Sequence, residues 1–207
     1  MNLLEKSIPY KSIIMRCDSI NRNAFSEAEE CFSIVKYKPG MKSVWIEIQK
    51  AAGQFEGYSD ADIADYFEKT FLYDSSEIDE RCFFLKDNVE EAYIGTCCAW
   101  FSNKGKRIVP VLHWLAVVPT HRNRGCARML ITYVLKYFEQ KYKKQAVYLH
   151  TQPESYQAIK LYNDFGFNIT QEDSYGHAVN EYEDAMEILK EVMNSEAYKR
   201  IKNTAVQ

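Results

Sequence analysis

Two arginines, a glycine and an alanine stand at a seam in the stretch HWLAVVPTHRNRGCARMLITYVL, His113–Leu135. Before the seam runs a dense apolar segment; after it, apolar residues recur at helical spacing. A packed core needs none of those four residues there, but an anion seated at the start of a helix does. The first N–H groups of a helix have no partner within it and carry a partial positive charge, so they bind phosphate. Gly125 allows the backbone close to an anion, Ala127 is too small to block it, and Arg122 and Arg124 offer charge-assisted hydrogen bonds. Arg122-x-x-Gly125-x-Ala127 thus has the residues of a pyrophosphate cradle. It lacks the lysine and hydroxyl of G-x-x-x-x-G-K-[ST] and the three glycines of the dinucleotide fingerprint, which weighs against a nucleoside triphosphate or NAD.

A second constellation lies one strand further along. AIKLYNDFGF places Ala158 and Tyr162 on a helix that Gly166 ends, with Phe167 beyond. Together and in this order, the two motifs resemble the GNAT superfamily of acetyl-CoA-dependent N-acetyltransferases, most strongly over 107–170. The resemblance implies a β-bulge in the central strand, Val111–Val118, which splays from the next parallel strand. Backbone groups of Leu115 and Val117 would receive the pantetheine arm of acetyl-CoA, and a backbone N–H there would polarise the acetyl carbonyl. The pyrophosphate would rest on N–H groups from Arg122 to Ala127, those of Gly125 and Cys126 among them. Tyr162 matches the frequent general acid that protonates the leaving thiolate. Ser155 stands where relatives often carry an asparagine that contacts the cofactor. No metal is implied. Read without the family, Tyr162 is a core tyrosine, Cys126 an inward-packed thiol, and Thr151-x-x-Glu154 a capping box around Pro153.

Attack on a thioester needs a neutral amine, and an alkylammonium has a pKa of about 10.4, so an acceptor for its proton speeds the reaction. Relatives often use a carboxylate on the central strand. RIVPVLHWLAVV has none, and His113 is its one titratable group of suitable pKa. By strand alternation His113 shares a face with Val111, Leu115 and Val117, unless a bulge intervenes. His150, at the end of the next strand, and a water-mediated route are the alternatives; a hydrogen-bonded core histidine is the plainer reading of His113. Glu47, Glu56, Trp45, Phe55 and Tyr58 fall in the region that relatives fold over the acceptor, although solvated charge and core packing explain them too. Lys104–Arg107 reads as a solvated turn, with contact to the 3′-phosphate of CoA as the alternative.

These residues need a frame, and the pattern supplies a mixed α/β domain. Short strands are expected at Tyr10–Cys17, with an extended arm as the alternative, and at Cys31–Tyr37, then helices at Met41–Gly53 and Asp60–Phe71. Strands at Arg81–Asp87, Glu91–Ser102 and Arg107–Val118 follow, then helix Arg124–Lys141, strand Gln145–Thr151, helix Glu154–Gly166 and the brief strand FNIT. Val111–Leu149 is a strand–helix–strand unit, hence parallel. The expected architecture is GNAT-like: a central mixed sheet with splayed parallel strands flanked by helices. A charged amphipathic helix from about Val179 to Met193 closes the chain, where many relatives end in a hairpin. The expected organisation is a single acyltransferase domain with residues 31–170 as core, 1–30 an N-terminal extension outside the minimal fold, and 171–207 a helical extension.

The bulk numbers limit the alternatives. With 207 residues and 46% hydrophobic content, one good core is accounted for. A net charge of −3 leaves no basic stripe for nucleic acid. Six scattered cysteines without C-x-x-C spacing read as reduced thiols, and the start of the chain has no signal-peptide pattern. No apolar run is long enough for a membrane helix. The expectation is a cytoplasmic N-acetyltransferase that moves acetyl directly to a primary amine of a small molecule, with homodimerisation left open. The alternatives are a peptide or protein amine as acceptor, and a non-catalytic CoA-binding sensor that keeps the cradle but lacks the acid and base.

Overall fold

A computed structural model describes residues 6–72, 75–142, 145–171 and 173–207. Seven strands form a mixed sheet: β1 Ile13–Cys17, β2 Phe32–Lys36, β3 Cys82–Asp87, β4 Ala92–Lys104, β5 Arg107–Val117, β6 Val147–Thr151 and β7 Asn168–Ile169. Their order is β2-β3-β4-β5-β6-β1-β7. The helices are α1 Lys42–Ala51, α2 Asp60–Phe71, α3 Ser75–Arg81, α4 Cys126–Lys141, α5 Tyr156–Asp164, α6 Tyr182–Val192 and α7 Ser195–Thr204. The α/β class and most elements match the sequence pattern; α3 and α7 are additional. The chain packs as two compact units, each assembled from separate segments.

The first unit holds 26–72, 75–99 and 114–137. β3 pairs antiparallel with β2 (Phe32↔Asp87 to Lys36↔Phe83) and with β4 (Cys82↔Cys98 to Asp87↔Ala92), with a register shift at Leu85/Lys86. Phe83, Phe84 and Leu85 are all fully buried, as in a strand covered on both faces. Phe83 meets Tyr133 of α4 at 4.8 Å, while its neighbour Phe84 meets Tyr37 at 6.4 Å. Consecutive residues on a pleat point to opposite faces, so both faces of β3 are packed. α1 presents Trp45, Ile48 and Gln49 inward, and α2 presents Ile63, Phe67 and Phe71. Trp45 meets Phe67 and Phe71 edge-on at 5.1 and 5.6 Å, which joins the two helices. α2 opens with a capping box: Ser59 Oγ accepts from the Asp62 N–H, and Asp62 Oδ2 accepts from the Ser59 N–H.

The second unit holds 6–25, 100–113, 138–142, 145–171 and 173–207. β1 pairs antiparallel with β6 over Ile13↔Thr151 to Cys17↔Val147 and with β7 at Met15↔Ile169 and Arg16↔Asn168. The segment read as an extension is therefore an interior strand, with Ile13, Ile14 and Met15 fully buried. β5 pairs parallel with β6 at Val111↔Tyr148, as the crossover required. The expected capping box at Thr151-x-x-Glu154 does not form: Pro153–Ser155 is a 3-10 turn whose cap, Gln152, makes no side-chain capping bond. The turn starts at Pro153, one residue later than a box capped by Thr151 needs, and Thr151 is still the last residue of β6. Gly166 lies at φ +97°, and a Cβ there would stand 2.4 Å from the Ser19 carbonyl oxygen. No other residue fits that site. The closing region is two helices rather than one. Asn194 caps α7 by accepting from the Ala197 N–H at 2.8 Å, and Val206 then bridges Thr170 in parallel.

Candidate functional site

The central strand carries the expected irregularity. Trp114, within β5, lies at φ +51°, a left-handed backbone that a tryptophan rarely adopts. A left-handed residue interrupts the pleat, so the alternation does not run from His113 through to Leu115 and Val117. Beyond it Ala116 and Val117 are both buried. The Trp114 carbonyl accepts a hydrogen bond from Gln49 Nε2 at 3.1 Å. Around the Trp114 ring stand Phe55, stacked at 5.1 Å, and Tyr66 and Trp45, edge-on at 5.3 and 5.5 Å. Tyr58 meets Phe55 at 6.0 Å and is 63% exposed. Phe55, Tyr58 and Trp45 of the sequence reading thus belong to one aromatic group; Trp114 and Tyr66 complete it. Glu47 and Glu56 are exposed.

The seam after β5 is a short 3-10 turn, Pro119–His121, then a loop into α4. Asn123 and Gly125 are both left-handed, at φ +61° and +77°. A Cβ on Gly125 would meet Met129 Cε at an ordinary 3.7 Å, so it is the backbone conformation, not internal space, that selects glycine. α4 runs sixteen residues from Cys126, and the first N–H groups of a helix find no acceptor in the preceding turn of that helix. Its first turn holds no acidic residue. The Arg122 N–H turns back to the Pro119 carbonyl at 3.4 Å, which removes it from the row of amides expected to face an anion. Arg122 is half-buried, and burial pushes its guanidinium down from its ordinary value. Arg124 lies over the Phe32 ring at 5.1 Å. The Cys126 thiol is buried, and its desolvation raises the pKa. These are the groups that the sequence assigned to an anion cradle.

One feature beside the cradle was not read from sequence. Asp87 and His121 are each 2% exposed, with His121 Nε2 3.2 Å from Asp87 Oδ2 and Nδ1 2.9 Å from Thr120 Oγ1. Asp87 Oδ1 accepts from the Val89 and Glu90 amides at 2.8 and 3.0 Å. The Glu90 amide first, then the Val89 amide and His121, hold this carboxyl below the usual range. Glu90 joins them, so three ligand atoms lie within 4.8 Å of one another. Arg124 Nη2 stands 3.7 Å from Asp87, so a cation there would face a guanidinium. The cluster is an internal clamp that ties the β3–β4 turn to the residue before Arg122.

The remaining candidates lie in the second unit. Tyr162 is 8% exposed on α5, edge-on to Phe167 at 6.1 Å. Its carbonyl accepts from the Phe165 and Phe167 amides, so the end of α5 closes on the Tyr162 backbone. The Ser155 hydroxyl accepts from Gln152 Nε2 at 3.2 Å. His150 keeps an exposed edge, while its Nε2 meets Ser12 Oγ at 2.9 Å and Tyr10 OH at 3.4 Å; the burial of the ring lowers its pKa. Burial, with a smaller contribution from His150, pushes His113 down to about 4.

A native pKa below the unfolded value of about 6.5 means the unfolded chain binds the extra proton first. The contribution of His113 to stability is complete above about pH 6.5 and is lost as pH falls toward about 4. At pH 5 the loss amounts to about 2 kcal/mol at most. Denaturant unfolding at pH 7 and pH 5 should show that loss in the wild type and a smaller one in His113→Gln. Equal losses would contradict the assignment.

The sequence model of the acetyltransferase (GNAT) family matches residues 44–167, more than half of the chain. Among curated protein sequences none matches significantly. Three solved structures share the fold. A GCN5-related N-acetyltransferase from Sphaerobacter thermophilus is 16% identical with a TM-score of 0.61, over 81% of this chain and 50% of that one. Arabidopsis thaliana Naa50, in complex with the bisubstrate analogue CoA-Ac-MVNAL, is 20% identical with a TM-score of 0.53, over 68% and 85%. The aminoglycoside N-acetyltransferase AAC(6')-Iy, in complex with CoA, is 19% identical with a TM-score of 0.53, over 76% and 99%. The chain spans about half the length of the first of these. Among the described residues no helix is long and apolar enough to cross a membrane. On the match over 44–167, the chain belongs to the GNAT acetyltransferase family.

Proposed function

We propose that this protein transfers acetyl from acetyl-CoA directly to a primary amine of a small molecule. The observation that carries the reading is the left-handed Trp114 in β5 followed by the left-handed Gly125 at the start of α4. The first turns a strand edge into a set of outward backbone groups; the second opens a helix N-terminus to an anion. In this reading Leu115 and Val117 pair with the pantetheine arm, and the Leu115 N–H polarises the acetyl carbonyl. Amides from Asn123 to Ala127, with Arg122 and Arg124, hold the pyrophosphate. Ser155 contacts the cofactor through its hydroxyl, already oriented by Gln152. Tyr162 gives its proton to the departing thiolate.

His113 is neutral at pH 7, but a base with a pKa of about 4 has little affinity for an amine proton. We assign it a hydrogen-bonding role and assign proton acceptance to His150, whose Ser12 and Tyr10 partners give the proton an onward path. The aromatic group around Trp114, with Tyr58 exposed, supports an acceptor whose amine is carried on an apolar or flat body. Naa50 with its peptidyl analogue and AAC(6')-Iy show that this fold serves both peptide and small-molecule acceptors. Thiol release should therefore be screened with both classes.

Thermal unfolding with and without acetyl-CoA tests the cofactor first. Ligand at about a hundred times its dissociation constant adds roughly 2.7 kcal/mol. Each kcal/mol moves the midpoint of a domain this size by about 2–4 °C, so a rise of about 5–10 °C is expected. No rise at millimolar acetyl-CoA sinks the proposal.

A further inference from the structure

We infer that Gln49 is a positioning residue for catalysis, which sets the direction of the Leu115 N–H by holding the Trp114 carbonyl. The inference rests on the reading of Leu115 as the donor to the acetyl carbonyl, and deepens it.

Gln49 is fully buried in the apolar face of α1, four residues after Trp45. An amide in such a place is costly unless both ends are paired. Its Nε2 donates to the Trp114 carbonyl at 3.1 Å, but its Oε1 has no hydrogen-bond partner among the described residues. Stability alone would favour methionine or leucine at this position. What the side chain accomplishes is confined to one bond, and that bond falls on the one left-handed residue of β5.

The Trp114 carbonyl and the Leu115 N–H belong to a single peptide group. No described peptide bond is cis, so this group is planar with its C=O and N–H pointing in opposite directions. Fixing the carbonyl toward α1 fixes the N–H away from it. A bulge without such a tether can rock about its flanking dihedrals, and an oxyanion donor tolerates little misdirection. The bond also draws electron density toward the carbonyl oxygen, which makes the N–H of the same group a stronger donor. Both effects act on the carbonyl of the reacting thioester and neither acts on the pyrophosphate. Gln49 should therefore affect turnover without affecting capture of CoA.

The test is Gln49→Met, which keeps the length and apolar body and removes the donor. Removing a whole oxyanion donor costs about 10²–10³ in kcat, and misdirecting one should cost about 10–100-fold. The expected result is that fall in kcat, KM for acetyl-CoA within about threefold, and unchanged affinity for CoA, which has no thioester carbonyl. Infrared spectra of bound acetyl-CoA labelled with carbon-13 at the carbonyl should show a higher stretching frequency in the variant, because the bond is less polarised. A residue serving only to fill α1 would keep or gain thermal stability on this change and leave both the kcat-to-KM split and the stretch unmoved. Wild-type kcat with an unmoved stretch overturns the inference. Should the variant fail to fold, the wild type decides by itself: a bound carbonyl stretch no lower than in water overturns it. Failure of the wild type to bind acetyl-CoA at all is a different outcome, which removes the acetyltransferase reading together with this one.

Discussion

Tyr162→Phe should lower kcat by about 10²–10³ while KM for acetyl-CoA stays within about threefold, because a general acid contributes on that scale and acts only as the C–S bond breaks. A phenol of pKa about 10 is fully protonated at neutral pH, and the thiolate that leaves, of pKa about 8.5 as a free thiol, is close enough to take its proton in the transition state. Phenylalanine keeps the ring in its edge contact with Phe167 and leaves the backbone closure of α5 intact, so the fold should be unaffected. Steady-state kinetics with the amine found by screening is the measurement. The same experiment separates an enzyme from a CoA-binding sensor. A sensor binds acetyl-CoA, shows no turnover in the wild type, and gives Tyr162→Phe nothing to remove. Wild-type kcat in the variant would return Tyr162 to an ordinary core tyrosine.

The parts of this molecule that could be read from its sequence are those written in residue type. α2 has its bounds in the pattern, since aspartates mark its start and Ile63, Phe67 and Phe71 form one stripe that ends with its last residue. The parallel pairing of β5 with β6 followed from one helix between two apolar strands. α7 went unread because its sequence is polar and only Ile201 is buried, so its helicity comes from packing and from the Asn194 cap. β1 was visible as a strand, but its place between β6 and β7 is a long-range fact that local pattern does not carry.

The site divides in the same way. Gly125 announces a left-handed turn by its type, whereas the left-handed Trp114 is concealed behind a residue that disfavours it. Only the family resemblance implied a bulge there. Gln49 lay in plain view as a polar interruption of the Trp45–Ile48 stripe, a signal that can be used in other chains. Asp87 and His121 become partners only when the β3–β4 turn meets the loop before α4, and no spacing rule anticipates that pairing. Each of these buried polar residues holds backbone next to a proposed ligand contact: Gln49 at Leu115, and the Asp87–His121 pair beside Arg122.

Gly125→Ala is the second large effect, and a control in the same unit makes it interpretable. An alanine held at φ +77° costs about 1–2 kcal/mol, and the loop can relieve that strain only by turning its amides. Space toward Met129 is adequate, so packing does not account for any loss of binding. KM for acetyl-CoA should rise about 10–100-fold with kcat at saturation near the wild-type value, since an interaction with the pyrophosphate is the same in ground and transition states. Gly40 is also left-handed, at φ +97°, with nothing within 4 Å of an added Cβ. Gly40→Ala should therefore lose a similar amount of stability by denaturant unfolding and leave KM unchanged. If both variants raise KM alike, the effect is general loosening and the cradle has no special part in it. If neither does, the pyrophosphate lies elsewhere. The cradle stands if the rise in KM follows Gly125 alone while the stability losses match, because strain is then common to both sites and only the direction of the amides differs.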